Sequence, residues 1–401
     1  MKLLKTLFWG LMLVPFMAGT KGVAQEQALA TPEDGNWLYS ARVGGEFTDN
    51  RDGVENGKES NLDLFIEPRV DYRFRDGDRT VLDLAVLPML KWHSNPRDNS
   101  QGAGQNDTEM FGTAVAELSH QLNQRLLLLL GDAITYNDDP EISNGGANVR
   151  YSNNHIWNSA HASMDYETTE QLTTGVGGSY ALKRYSDSVV AQSEDEDIIE
   201  GNVNLKYKMG SGYRLLGTAG ASQFKNDAVD QTRGSSVFSV GAGVEKTFTP
   251  DLIGKVMAGY QHGTYKNDAL DAIDSPNGSA ELTMRAASLT RFRLGGSYGL
   301  YAPYVQPYSI QTMTAFTAGV DHDLSKRLTV SLNGQYGNGH YKAEGNFEGG
   351  NDTMVMGGVR ADYHLNRNWT LNAGYSVENW DSDVRESFTR NLVDCGVKVQ
   401  L

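Results

Sequence analysis

The final stretch, Ser387–Leu401 (SFTRNLVDCGVKVQL), limits the fold of this chain more than any other. From Thr389 onward its residues alternate. Thr389, Asn391, Val393, Cys395, Val397, Val399 and Leu401 fall on one face, and Arg390, Leu392, Asp394, Gly396, Lys398 and Gln400 on the other. Successive side chains of a β-strand point to opposite sides, so this strand has one face nearly all apolar and one that carries charge. Such a strand is expected to close a membrane barrel, its apolar face on lipid and its polar face on a water-filled lumen. Val393, Val397, Val399 and Leu401 are then the side chains on which membrane assembly depends.

The opposite end reads as a targeting segment. Lys2 and Lys5 precede an apolar core from Leu7 to Ala18, and small residues lead to Gly22-Val23-Ala24. That order is the pattern of a secretory signal, with cleavage expected near Ala24. Roughly a dozen apolar residues are too few to cross about 30 Å of hydrocarbon as a helix. Residues 1–24 are therefore read as signal peptide, 25–36 as a short polar arm and 37–401 as the barrel. Losing Lys2, Lys5 and Lys21 takes the formal charge from −15 to −18. A strongly acidic exported chain is a poor match for nucleic acid. The lone cysteine, Cys395, rules out an internal disulfide framework.

Between the ends one unit recurs: a strand, a tight polar turn, a second strand, a longer loop. In its clearest copy Leu62, Leu64, Ile66, Pro68, Val70, Tyr72 and Phe74 share one face, and Asp63, Phe65, Glu67, Arg69, Asp71 and Arg73 the other. After Asp76-Gly77, a strong hairpin signal, Leu82, Leu84, Val86, Pro88, Leu90 and Trp92 oppose Val81, Asp83, Ala85, Leu87, Met89 and Lys91. With the turn there, Pro68 and Pro88 are expected three residues apart across the hairpin, in a bulge or local opening. Other copies put Glu200, Lys206 and Lys208 opposite Ile199, Val203 and Leu205, and Arg360 and Asp362 opposite Val359 and Ala361. The repeat predicts an all-β, up-and-down antiparallel barrel of about eighteen strands, with sixteen as the alternative. Ser279–Arg293 reads as one strand or two. Aromatic residues gather toward both ends of the strands, as at the two boundaries of a membrane wall.

On the polar faces the acids are Asp63, Glu67, Asp71, Asp83, Glu200, Asp362 and Asp394, and the bases are Arg69, Arg73, Lys91, Lys206, Lys208, Arg360, Arg390 and Lys398. This near balance points to a hydrated lumen lined by these residues, whose opposite charges also brace the wall. The loops carry the acid surplus. The acidic runs Asn137–Glu141 and Ser193–Asp197 lack the spaced ligands and central glycine of a Ca²⁺ loop, so no metal site is expected. The eight histidines are scattered and accompany no nucleophile motif, so neither an enzyme nor a cofactor is expected.

The hairpin repeat and the ending Phe388-x-Arg390-Asn391-x-Val393-x-x-Gly396-Val397 resemble the putative β-barrel porin family of Gram-negative outer membranes. The resemblance covers roughly Trp37–Leu401 and departs at Leu401, where such barrels usually end in an aromatic residue. It implies a bacterial outer-membrane location, with outer-membrane lipid, lipopolysaccharide and the barrel-insertion machinery as partners. The function expected is passive diffusion of small polar solutes or ions. Members are often associated with exopolysaccharide loci, so a barrel serving polysaccharide export with periplasmic export proteins is the alternative. A structural or surface-binding barrel with a closed lumen is the second alternative.

Overall fold

The computed structural model describes residues 37–51, 53–95, 107–137, 142–143, 147–148, 154–186, 191, 195–226, 234–286, 289–303, 308–344 and 347–401. The expected signal peptide and polar arm lie outside these residues. The alternating segments form β1 (Trp37–Thr48), β2 (Asn61–Asp76), β3 (Thr80–His93), β4 (Thr108–Asn123) and β5 (Leu126–Asn137). The short β6 (Ile142–Ser143) and β7 (Ala147–Asn148) pair only with each other. Then come β8 (His155–Glu167), β9 (Leu172–Tyr185), β10 (Glu196–Gly210), β11 (Tyr213–Asn226), β12 (Gly234–Thr249), β13 (Leu252–Tyr265) and β14 (Ile273–Ala286). The remaining strands are β15 (Thr290–Tyr301), β16 (Gln311–Asp323), β17 (Leu328–Tyr341), β18 (Gly350–His364), β19 (Trp369–Ser382) and β20 (Phe388–Gln400).

All but β6 and β7 join one 18-stranded antiparallel sheet, each strand beside its successor, and β20 pairs back onto β1. The sheet is thus a closed barrel without an open edge. Across the closure Val397 faces Val43 and Val393 faces Phe47, while Lys398 faces Arg42 and Asp394 faces Glu46. The ladder runs to the last residue, where the Leu401 N–H donates to the Tyr39 carbonyl at 2.8 Å.

Alternation decides which side faces out. Val43, Ile66, Val86, Val203, Val240, Leu332 and Val393 are exposed, whereas polar partners such as Asp71, Lys91 and Gln261 are buried. That is the reverse of a soluble fold and suits lipid outside and a polar interior. Strands of 12–16 residues, tilted as a closed barrel requires, reach across about 25 Å of hydrocarbon. At the first short turn Gly77 takes φ 55°, a conformation that costs glycine nothing.

Three sequence expectations need correction. Pro68 and Pro88 are not three residues apart but directly opposite. The ladder runs Ile66↔Leu90, skips three pairs and resumes at Val70↔Val86 in the same register. The turn spans Gly77–Arg79, longer than Asp76-Gly77 alone implies, and this sets the register. The opening is local, with no bulge there. Second, Lys266–Glu281 has the Asp, Asn, Pro and Gly letters of a long loop but is not all loop, because β14 already begins at Ile273. The loop-like letters of Ser275-Pro276-Asn277-Gly278 hide a strand that pairs with β13 throughout but with β15 only from Gly278↔Tyr298 onward. Pro276 offers no N–H to that missing pairing, so its place in the strand costs little. Ser279–Arg293 accordingly divides between β14 and β15.

The third correction concerns the mouth, because the loops are of modest length in sequence and none is expected to fold inward. Released from β14, the end of β15 crosses the inner side of β13. The Leu300 N–H donates to Gln261 Oε1 at 2.7 Å, and Leu300, Ile310 and Val237 form a buried apolar cluster. A side chain on Gly299 would strike Gln261, and one on Gly263 would meet Ile310 and Leu300. The β15–β16 hairpin therefore bends into the barrel.

Candidate functional site in the barrel interior

The fifteen residues expected to line the lumen all lie on the inward face by alternation, with their outward neighbours apolar. Most have a partner of opposite charge, on the same strand or on one nearby in the wall. Arg69 holds Asp71 at 2.7 Å, Arg73 holds Asp83 at 2.5 Å, and Lys91 lies 3.4 Å from Asp63. Lys206 reaches Asp165 on β8 at 3.0 Å, and Arg390 reaches Glu378 on β19 at 2.8 Å. Glu200 accepts a hydrogen bond from the Ser179 hydroxyl. Lys398 sits among Arg69, Asp71, Glu67 and Asp362. Lys208 lies at the short-turn end of β10.

The charges concentrate on the strands around the closing seam. Asp394 on β20 takes Arg42 of β1 at 2.6 Å and lies 3.7 Å from Arg360 of β18, which holds Asp362 at 3.3 Å. Asn372 on β19 accepts two further bonds from the Arg42 guanidinium, at 3.1 and 2.8 Å. Gly374 makes this reach possible, because any side chain there would collide with the Asp394 carboxylate. Arg42 also lies over the Phe65 ring, 4.8 Å from its centroid.

Exposure separates two kinds of pair. Arg69–Asp71, with side chains 9% and 1% exposed, and Lys91–Asp63, with 3% and 9%, are braces within the wall. Arg42 and Asp394 remain 19% and 17% exposed, and Arg360 and Asp362 29% and 30%. Water in the lumen reaches these four. Among them Arg42 was missed in the sequence, as were Glu378 and Asp165. All three sit on alternating strands, so their inward facing was legible there.

Loops add a second layer at the mouth. Arg385 in the β19–β20 loop turns inward, pairs with Asp352 at 2.6 Å and stacks on Trp380, 4.0 Å from the ring. Beside the bent hairpin, Tyr308 donates its hydroxyl to the Glu348 carbonyl, and the Ser309 N–H donates to Glu344 at 2.8 Å. Burial, helped by Glu344 and Glu348, raises the Tyr308 pKa above the usual phenol value.

Among the described residues no three His, Cys, Asp or Glu side chains come together to hold a metal ion. Asn137–Glu141 lies mostly outside the described residues, as do Ser193 and Glu194. Asp195 accepts the Tyr185 N–H and Asp197 pairs with Arg184, so these acids are engaged by the wall. His155 and His161 both face inward, the first against the Tyr185 ring with the two planes tilted and the second 3.5 Å from Glu117. The hydroxyl–histidine pairs Thr80–His120 and Thr290–His322 lie on the outward face beside short turns, away from the lumen.

Residues 217–401 match the family model described as Putative beta-barrel porin 2. In fold the chain is similar to porin-type barrels. The matched residues span β11 to β20, and a barrel closes only as a whole, so the strands before residue 217 complete the same wall. Two solved structures from Pseudomonas aeruginosa are similar over the full barrel. OccK9 (OpdG) is 11% identical with a TM-score of 0.51, over 91% of this chain and 99% of that one. OccK1 (OpdK) is also 11% identical, over the same shares, with a TM-score of 0.50. At that identity the likeness speaks for the fold alone. The comparison with curated proteins found no match.

Proposed function

We propose that this protein is a porin-like channel of the bacterial outer membrane through which small polar solutes or ions diffuse down their gradients. The observation that carries it is the group Arg42, Asp394, Arg360 and Asp362. These are charged side chains that water reaches inside a closed wall whose outer side is apolar. Eighteen strands enclose enough width for an aqueous channel. The bent β15–β16 hairpin and the Arg385 loop are the elements that narrow its mouth. The balanced lumen charge and the absence of a motif for covalent chemistry fit transport rather than catalysis.

On this reading the signal peptide is removed near Ala24. The apolar outer face meets outer-membrane lipid and lipopolysaccharide, and β20 is read by the barrel-insertion machinery. The acid surplus of the loops concentrates cations near the mouth, most at low salt. Purified protein in a planar bilayer under a salt gradient tests the reading. Stepwise conductance with a modest cation preference is expected. No conductance from a barrel that shows the heat-dependent gel shift of a folded wall overturns it.

A further inference from the structure

The two sides of the lumen differ in chemistry. In a ring of eighteen strands, the strand nine places on stands directly across. Counting round the barrel sets β18, β19, β20 and β1 opposite β9, β10, β11 and β12. The first side presents the part-exposed group Arg42, Asp394, Arg360 and Asp362, in which charges of opposite sign alternate. The facing side presents mostly small groups at mid-wall, Ser179, Asn202, Thr218 and Ser239, with Gly220 and Gly241 between them, and its one mid-wall acid, Glu200, is held by the Ser179 hydroxyl. The ion pairs on this side, Arg214–Glu245 and Lys206 with Asp165 of the adjoining β8, each bond to themselves closer to the short turns.

We infer that this lumen selects for charge separation rather than for net charge, and that its preferred permeants are compact zwitterions with a small uncharged polar remainder. The inference rests on the channel reading above. Arg42, Arg360, Asp362 and Asp394 sum to zero, with cation and anion alternating at 2.6–3.7 Å. A lone anion drawn to Arg42 also meets Asp394 at 2.6 Å, so attraction and repulsion nearly cancel, and a lone cation fares the same. A solute carrying both charges a few ångströms apart can turn its ammonium to Asp394 or Asp362 and its anionic group to an arginine. Both ends then gain charge-assisted hydrogen bonds that repay the water they give up. Across the lumen, glycine leaves room for the remainder of the solute, and the hydroxyls and amides hydrogen-bond it without regard to charge.

The test uses single channels of the full-length protein in a planar bilayer carrying KCl. Four probes of similar size are added in turn: L-serine, sodium lactate, ethanolamine hydrochloride and propane-1,2-diol. Serine is expected to interrupt the current at concentrations about tenfold lower than the other three. Arg42→Gln with Asp394→Asn removes one charge of each sign and leaves the net charge unchanged. It should abolish the preference for serine in a barrel that still shows the heat-dependent gel shift. Arg360→Gln with Asp362→Asn applies the same logic and serves if the first double variant does not fold. Serine no more effective than the other probes, or a preference that survives in a folded double variant, overturns the inference and leaves the channel in place. No KCl current from a folded wild-type barrel overturns both.

Discussion

Pro68 of β2 and Pro88 of β3 stand face to face across the wall, and the ladder opens around them for three residue pairs without losing register. Two prolines produce a gap of that length only at a hydrogen-bonded pair, where each would have donated to the other's carbonyl. Both prolines still pair on their far sides, Pro68 with Ala41 and Pro88 with Gly112, because their missing N–H groups point at each other. Placing both at one pair confines the loss to two bonds.

Restoring those donors should therefore be cooperative. Pro68→Thr and Pro88→Thr each supply one N–H, worth about 0.5–1.5 kcal/mol when it finds its acceptor. The double variant is expected to close the gap and to raise the temperature of the heat-dependent gel shift by more than the two single changes combined. Equal, additive shifts would mean that the prolines do not share a pair.

The closing seam depends on a glycine. A side chain at Gly44 would come within 2.7 Å of the Phe65 ring and would also strike the Cys395 carbonyl. Gly44→Val should destabilise the folded barrel by about 1–3 kcal/mol through overpacking. Phe65→Ala in the same chain should return part of the loss by removing the ring. Because Arg42 rests on Phe65, the single change Phe65→Ala should also increase current noise while the barrel stays folded.

Much of this wall was legible because a barrel strand repeats one simple rule. Thr389–Leu401 and the faces of β2 and β3 could be read from alternation alone. What escaped depended on more than one strand at a time. The register of Pro68 and Pro88 turned on a turn that is one residue longer and starts one residue later than its letters suggest. The start of β14 was hidden by Pro276-Asn277-Gly278, letters that signal a turn unless the neighbouring strand has peeled away. The pairing of Arg42 with Asp394 needs the barrel to be closed, since the two residues lie near opposite ends of the chain. The inward bend of Leu300 and Ile310 follows from the missing partner, which no local pattern reveals.

That bend can be undone. Leu300 and Ile310 anchor the hairpin on Val237, and Ile310 is 2% exposed. Leu300→Ala with Ile310→Ala removes apolar burial worth about 2–5 kcal/mol at each site, enough to free the hairpin without touching the ladder below. Single-channel conductance and the size limit for neutral sugars should both rise, with the heat-dependent gel shift retained. Unchanged conductance would place the constriction elsewhere.

Tyr308 makes the same region sensitive to alkali. Its folded pKa is raised, first by burial and then by Glu344 and Glu348. The stability it contributes is thus complete below the unfolded value of about 10 and is lost as pH rises through the folded value. Wild-type conductance should climb irreversibly or become noisy in that alkaline window. Tyr308→Phe has no proton to lose and should show a flatter profile there. At neutral pH it should lose about 1 kcal/mol for the missing bond to the Glu348 carbonyl.

The last strand permits the most direct test of which side is out. Val397 faces Val43 and Leu371, Val399 faces Ala41 and Trp369, and all six side chains lie on the outward surface of β19, β20 and β1. Lys398, between the two valines, points inward beside Arg42. An aspartate on the lipid side of a barrel is penalised by up to about 2 kcal/mol, and here it falls on the strand whose pairing closes the ring. Val397→Asp and Val399→Asp should therefore reduce the fraction of chain that reaches the heat-modifiable, membrane-embedded form. Lys398→Gln keeps a polar group on the wet side and should assemble as the wild type does. Expression of the three variants followed by a gel of unheated membranes separates the cases. Equal assembly of all three would mean that the inward and outward faces of β20 have been exchanged.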